Sequence, residues 1–327
     1  MRRLTILVLF LYAGLTLYTI LRLILKEPSI PFLTPLLTSL AFVFAGLHAF
    51  QRAGWKRMLL LLGLCFGISL LFESVGVATG LIYGPYHYTD LLGAKFLGLV
   101  PYLIPLAWFM MMYPALVIAE TLMGLTESPD QALTLRRSIP GHSEPDSLQE
   151  TAPVRPDLSR VFGAAALGGL IMTAWDLALD PMMVTIGHWV WDGPASTRPY
   201  FGVPLQNYWG WWLTSFVTIS LYFLISGRAR IWGVHAGGEL SSKRETSAGQ
   251  NFLITWGYDS RTAFDRLAVF SYLITATANI LIALLIGLGG PALAGLFAIS
   301  PWIFMVWPRL KDPSPDPHPA ISIQERV

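Results

Sequence analysis

Apolar residues fall into eight blocks along the chain, each about 20 residues long, which is the length that crosses a bilayer core of about 30 Å as an α-helix. The blocks are separated by shorter segments rich in Pro, Gly and polar residues. The last block is short and contains Pro301. The predicted spans are residues 4–25, 31–50, 58–80, 97–119, 161–184, 209–226, 266–288 and 291–307. This pattern predicts an all-α, polytopic transmembrane bundle that forms a single domain over residues 1–310.

The segments between the spans are of two kinds. Residues 126–157 and 235–251 are long and polar, and we expect flexible cytoplasmic loops there. Residues 311–327 are rich in Pro at their start and predict a disordered tail. Trp256–Asp259 fits either an interfacial stretch or a contributor to a cavity. The outer loops are short, aromatic and poor in charge, so we expect them to fold back over the bundle.

Composition and charge agree with a membrane protein. Only 13% of the 327 residues are charged and 54% are hydrophobic, whereas a soluble domain carries about 25% charged residues. With the N-terminus in the cytoplasm, eight alternating spans place most Lys and Arg residues inside and the C-terminus inside as well, as the positive-inside rule predicts. We therefore expect a multi-pass protein of a bacterial or archaeal cell membrane, with its first helix retained. The net charge of +2 gives no sign of nucleic-acid binding, and the single Cys65 predicts a small buried hydrophobe.

Three carboxylates, Glu73, Asp176 and Asp180, lie inside these apolar blocks. An ionisable group at the centre of a transmembrane helix costs at least ~2.5–3.5 kcal/mol, so such residues are usually retained for a task or a buried partner. Asp176 and Asp180 are four residues apart and therefore share a helix face. An apolar environment favours the neutral form of a carboxyl group, and a second acid nearby favours it further. The three residues are therefore candidate general acids.

An internal repeat connects two of these acids. Glu73 precedes Gly80 by seven residues, and Asp180 precedes Gly187 by seven. Each copy continues with aromatic residues, a Gly-to-Pro turn and a Trp seven residues after the Pro. The matched elements are Tyr83, Tyr86 and Tyr88 with Trp189 and Trp191; Gly98–Pro101 with Gly202–Pro204; and Trp108 with Trp211. Spans 3–4 and 5–6 thus predict a parallel repeat, with Glu73 and Asp180 facing a shared cavity.

Acids beside aromatic rings favour a reaction that passes through a carbocation. The negative face of an aromatic ring stabilises a nearby cation by ~2 kcal/mol or more when water is excluded. The six histidines are scattered without the clustering of a diiron oxygenase, and there is no phosphate-binding or dinucleotide motif. Asp176–Asp180 has the D-x-x-x-D pattern of intramembrane prenyltransferases, but no second aspartate-rich motif accompanies it.

Other interpretations stay open at this point. Each acid is also compatible with a structural role in which it pairs with a Lys, an Arg or a backbone group. Intramembrane acids and a parallel repeat are compatible with a proton-coupled transporter or lipid-handling protein. A third alternative is a pigment-binding assembly factor without catalysis.

Two blocks of residues resemble the carotenoid biosynthesis membrane-protein family. The first is Glu73-Ser-Val-Gly-Val-Ala-Thr-Gly80 with Tyr83-Gly-Pro-Tyr-His-Tyr88 and Leu106-Ala-Trp108. The second is Asp176-Leu-Ala-Leu-Asp-Pro181 with Gly187-His-Trp-Val-Trp191, Tyr200-Phe-Gly-Val-Pro204, Asn207 and Trp211. This family includes the carotenoid 1,2-hydratases that act on gamma-carotene and bisanhydrobacterioruberin.

The resemblance implies cofactor-independent addition of water to the terminal C1=C2 bond of an acyclic, lycopene- or gamma-carotene-like carotenoid. A tertiary alcohol results, which a glycosyltransferase or desaturase then often modifies. Protonation at C2 leaves a tertiary cation at C1, which agrees with the acids and rings above. We expect Glu73 or Asp180 to donate the proton and the other, with Asp176, to position or deprotonate the water. The expected substrate-binding residues are Tyr83, Tyr86, Tyr88, Trp108, Trp189, Trp191, Asn207 and Trp211, with Asn207 bonded to the water.

Overall fold

The computed structural model describes residues 1–28, 30, 32–125, 157–226 and 251–310, with side chains from residue 263 onward in the last segment. This part of the chain contains eight long α-helices. They are α1 (Arg2–Ile24), α2 (Leu33–Ala53), α3 (Trp55–Thr79), α4 (Leu103–Leu122), α5 (Leu158–Thr185), α6 (Leu205–Ile225), α7 (Asn251–Leu285) and α8 (Gly289–Val306). The structure is therefore the predicted all-α polytopic bundle.

Seven of these helices are long and apolar enough to cross a membrane. The exception is α6, whose first turns carry Gln206 and Asn207 and whose centre carries several hydroxyl residues. At 21 residues it is as long as its neighbours, and Asn207, Thr214 and Ser215 are all buried. These three polar side chains thus face protein, which is the arrangement that makes polar groups tolerable at membrane depth.

Helix α4 lies at the centre of the bundle. Of the membrane-spanning candidates it is the most deeply buried, and it packs against α2, α3, α5 and α7. Helix α6 packs on α5 and α3, α8 packs on α5 and α7, and α1 lies outside α2 and α7. A helix that is apolar on all sides belongs in such a central position, and α4 has only Glu120 as a charged residue.

The aromatic connections cover one end of the bundle, as predicted. Strand β1 (Tyr86–Tyr88), which follows α3, pairs antiparallel with β4 (Trp189–Trp191), which follows α5. Strands β2 (Lys95–Phe96) and β3 (Val100–Pro101) form a small hairpin. We call this side of the molecule the capped end.

Three predicted boundaries are wrong. The fourth span was predicted to begin at residue 97, but 95–101 forms the hairpin and α4 begins at Leu103. The sixth begins at Leu205 rather than 209, directly after Pro204, which favours the first turn of a helix. Helix α7 begins at Asn251, well before the predicted 266, because polar and charged residues interrupt the apolar pattern between 251 and 265.

The capped end repeats its backbone geometry, which supports the two-copy pattern. Phe96 pairs with Val100 in one copy, and Tyr200 pairs with Val203 in the other. Between the paired residues, Leu97 and Phe201 both adopt a φ of 49°, a left-handed conformation that is uncommon for residues other than Gly. Two sequences that adopt the same unusual turn at matched positions are expected from a structural repeat.

The prediction for Cys65 is confirmed, since its side chain is buried in the core. The predicted flexible loops, the predicted disordered tail and the side chains of Trp256–Asp259 lie outside the described residues.

A buried ion cluster joins three helices at the end opposite the capped end. The Arg52 guanidinium of α2 donates to both carboxylate oxygens of Asp265 on α7, at 2.7 and 3.1 Å, and also bonds Glu120 on α4. The sequence pattern predicts no role for Glu120 or Asp265. Paired with Arg52, they hold helices together, which is the structural role of an intramembrane acid.

Candidate active site

The three acids singled out in the sequence meet under the cap. Glu73 lies on α3, whereas Asp176 and Asp180 lie one turn apart on α5; their exposed fractions are 4%, 0% and 1%. In the described part of the chain, none of the three forms an ion pair with Lys or Arg. Their surroundings differ in this respect from the Arg52 cluster.

One small cavity, of about 30 Å³, brings the predicted residues together. We call it the acid chamber. Every predicted site residue except Asp176 lines it, and so do Ile104 and Ala107 of α4. The predicted residues in its wall are Glu73, Asp180, Tyr83, Tyr86, Tyr88, Trp108, Trp189, Trp191, Asn207 and Trp211.

Glu73 accepts hydrogen bonds from three aromatic side chains. The hydroxyls of Tyr86 and Tyr88 both donate to Oε2, the latter at 2.8 Å, and Trp108 Nε1 donates to Oε1 at 2.9 Å. Burial, followed by the neighbouring Glu73 charge, raises the pKa of Tyr86 and Tyr88 well above the usual range. Both phenols therefore remain protonated donors. A carboxyl group that faces only donors suits the ionised, acceptor-only form.

Asp176 and Asp180 have a different partner. The amide nitrogen of Asn207, on α6, donates to Oδ2 of Asp176 at 3.0 Å and also to Oδ2 of Asp180. This brings two carboxyl groups to a single amide donor. Two acids this close repel each other when both are ionised, so such a pair tends to share one proton. In this structure the amide nitrogen of Asn207, the residue expected to bond the reacting water, donates to both aspartates.

Aromatic rings form the rest of the chamber wall, largely in matched pairs from the two copies. Trp108 and Trp211 stack with ring centroids 4.2 Å apart. Across the β1–β4 pair, Tyr86 lies 5.7 Å from Trp191 and Tyr88 lies 5.8 Å from Trp189. These separations are in the range of favourable aromatic contacts. The repeat positions recognised in the sequence thus contact each other in space.

Tyr83 is fixed between two helices by glycines. A Cβ added at Gly76 of α3 would lie 2.7 Å from its ring, and one at Gly210 of α6 would lie 2.4 Å from the opposite edge. Its hydroxyl bonds Thr214 at 2.7 Å, and its carbonyl accepts from Trp191 Nε1 at 3.0 Å. Only Gly permits so close an approach, so these positions determine where the cap sits.

Comparison with known proteins places the chain in a family. Residues 33–237, more than half of the chain, match the family described as "Carotenoid biosynthesis protein". The chain belongs to this family. It is also 30% identical over 172 residues to a bisanhydrobacterioruberin hydratase from Haloarcula japonica. That alignment covers 53% of this chain and 45% of the relative, so the chain matches less than half of the relative's length. No solved structure matches the chain.

The family segment includes every residue of the acid chamber. Two of these residues, Ile104 and Ala107, were missed in the sequence. Both lie on α4, where nearly every position is apolar, so neither composition nor periodicity distinguishes them. Only the matched Trp108 next to them gave a signal.

A second, much larger cavity, of about 370 Å³, adjoins the acid chamber. We call it the long cavity. Side chains of α1, α2, α4, α5 and α7 line it, together with parts of the cap, and Ile104, Ala107 and Trp189 line both cavities. Sequence patterns gave no sign of it, because its wall is made mainly of apolar residues from five helices, together with scattered polar and charged side chains.

Proposed function

We propose that this member of the carotenoid biosynthesis family adds water across the terminal C1=C2 double bond of an acyclic carotenoid. The observation that carries the proposal is that Glu73 and Asp180, from different helices and with different partners, line one chamber walled by aromatic rings. Markovnikov hydration needs a proton donor, a site that tolerates a tertiary cation, and a base for the water. The chamber offers one group for each requirement.

Asp180 is the proton donor in this proposal. It lines the chamber and shares Asn207 with Asp176, so the pair retains a proton that one carboxylate alone would lose. The proton passes from Asp180 to C2, and the electron pair of the double bond forms the new C–H bond. Asp176 does not line the chamber; it is a positioning residue that keeps the proton on the pair. Proton transfer by a placed acid contributes about 10²–10⁴-fold in rate.

Glu73 is the base and counter-charge. Three donors stabilise it as a carboxylate, so it lowers the energy of the cation at C1 and accepts a proton from water as the oxygen bonds C1. The faces of Trp189 and Trp191 add about 2 kcal/mol of cation stabilisation in a site without bulk water. Proton return from Glu73 to the aspartate pair completes a cycle in which an alkene and water become an alcohol without oxidation or reduction. Of the two candidate proton donors, this proposal thus assigns proton donation to Asp180 and makes Glu73 the base.

Production of the protein in cells that make lycopene tests the reaction. We expect pigments that carry one or two tertiary hydroxyl groups, with oxygen derived from isotopically labelled water. Label from molecular oxygen would identify an oxygenase instead. Unchanged lycopene and unchanged gamma-carotene, with the protein verified in the membrane fraction, would rule out the hydratase. We place the reaction in the cell membrane, ahead of glycosylation or desaturation of the hydroxylated end.

A further inference from the structure

The long cavity is built mainly from apolar side chains. Its inner wall is formed by α4 and α5, its outer wall by α1, and its sides by α2 and α7. The Tyr12 and Thr275 hydroxyls in its wall bond each other at 2.6 Å, so they need no polar ligand. Its volume of about 370 Å³ falls in the range that holds small organic molecules.

The two cavities meet at three side chains. Ile104, Ala107 and Trp189 appear in the walls of both. Ile104 and Trp189 are large and buried, whereas Ala107, on the same face of α4 as Ile104, is small and only half-buried. Ala107 is therefore the smallest side chain in the wall that the two cavities share.

The volumes indicate what each cavity can hold. The acid chamber, at about 30 Å³, has less than a tenth of the volume of the long cavity and no room for a chain of isoprene units. A polyene whose terminal bond reaches the chamber must leave the rest of its length elsewhere. The long cavity is the adjoining space.

We propose that the long cavity binds the polyene chain of an acyclic carotenoid and that Ala107 sets the passage through which the terminal double bond reaches Asp180 and Glu73. This inference rests on the proposed function, since it takes the acid chamber as the place of reaction. A lipid acyl chain shares the apolar chemistry, but the polyene is the occupant that uses the connection to the acids.

Filling the cavity tests the binding part. Ala278 of α7 and Thr34 of α2 line the long cavity but not the acid chamber. Ala278→Phe and Thr34→Phe are made in the full-length protein, and lycopene retained per mole of purified protein is measured in parallel with conversion. We expect each variant to weaken retention by about tenfold or more. Thr34 is half-buried, so its variant remains informative if Ala278→Phe does not fold.

The matched control is Ala294→Phe. Ala294 is half-buried on α8 and lines neither cavity, so retention and conversion should equal those of the wild type. A second arm narrows the proposed passage: Ala107→Phe should lower conversion at least about tenfold more than it lowers lycopene retention, because Ala107 lies in the wall that both cavities share.

The outcomes separate this inference from the proposed function. Wild-type retention in both filling variants, or retention of lipid without lycopene in the wild type, would overturn the long cavity as the polyene site. An equal loss of conversion and of retention in Ala107→Phe would overturn the passage, and so would conversion at the wild-type rate. If the wild type retains lycopene, the filling variants release it and no alcohol ever forms, the cavity assignment stands and the hydratase proposal fails.

Discussion

Replacing Glu73 by Gln removes one charge from the acid chamber and changes little in its shape. The side chain keeps an oxygen that accepts from Trp108 Nε1, which can only donate. The amide nitrogen then faces the hydroxyls of Tyr86 and Tyr88, which can turn to accept. We therefore expect Glu73→Gln to fold and to lose conversion.

The hydrogen bonds set the magnitude of the stability effect. A bond to a charged group contributes about 1.5–3 kcal/mol and a neutral bond about 0.5–1.5 kcal/mol, so three weakened bonds cost about 3–4.5 kcal/mol. Burying an amide instead of a carboxylate offsets part of this cost. In Glu73→Ala the three donors lose their acceptor at about 1–3 kcal/mol each, or ~3–9 kcal/mol in total. That sum approaches the whole stability of a typical domain, so the Gln variant is the informative one.

The effect on catalysis should be much larger than the effect on folding. Without the carboxylate, the chamber loses both the counter-charge to the cation and the base for water, and general base catalysis alone contributes about 10²–10⁴-fold. We expect conversion to fall by at least about 100-fold, or ~2.7 kcal/mol in activation free energy. The assay measures hydroxylated pigment formed per mole of monodisperse protein, with thermal unfolding followed in parallel.

Glu120→Gln is the matched control. Glu120 is also a fully buried intramembrane glutamate, but its partner is Arg52 at the other end of the bundle. Its replacement should lower the unfolding temperature and leave conversion per folded molecule unchanged. Conversion by Glu73→Gln at half the wild-type rate or more would refute the role of Glu73, as would an equal loss in Glu120→Gln.

Two further predictions concern the aspartate pair and the packing of Tyr83 against the glycines below the cap. Asp180→Asn should lower conversion by about 100-fold or more. Asp176→Asn should lower conversion less, because Asp180 lines the chamber and Asp176 does not. A larger loss of hydroxylated pigment in Asp176→Asn than in Asp180→Asn would contradict this order. Gly210→Ala places a Cβ 2.4 Å from the Tyr83 ring and should destabilise the protein by about 1–3 kcal/mol, whereas Gly46→Ala, with no atom within 4 Å of the added Cβ, should not. Thermal unfolding compares the two, and equal midpoints would show that the glycine contact does not hold the cap.

Much of the architecture could be predicted because hydropathy acts locally. Each apolar block forms a helix in which all backbone hydrogen bonds are internal, and this requirement does not depend on neighbouring helices. The same reasoning identified Glu73, Asp176 and Asp180 as residues too costly to bury without a reason. It failed at the boundaries of two helices. Residues 251–265 of α7 fall outside the predicted apolar block, and the apolar hairpin before α4 has the hydropathy of a helix start.

The internal repeat predicted features of the site that hydropathy alone does not predict. Matched glycines, aromatic residues and tryptophans predicted that two helix–loop–helix units are equivalent, and Trp108 and Trp211 stack as equivalent residues should. A repeat states which positions correspond. It does not state which side chains bond each other, because contacts within one copy and between copies fit the same pattern.

The sequence by itself determined the membrane-embedded helices, the three acids within them and the aromatic cap. Only the tertiary structure decided that three ring donors hold Glu73, that Asn207 joins the two aspartates, and that a long, mainly apolar cavity shares part of its wall with the acid chamber. The physical reason is that the free-energy cost of burial belongs to each residue alone and can be read along the chain. Hydrogen-bond partners and cavities belong to surfaces that distant helices form together, and they exist only once those helices have packed.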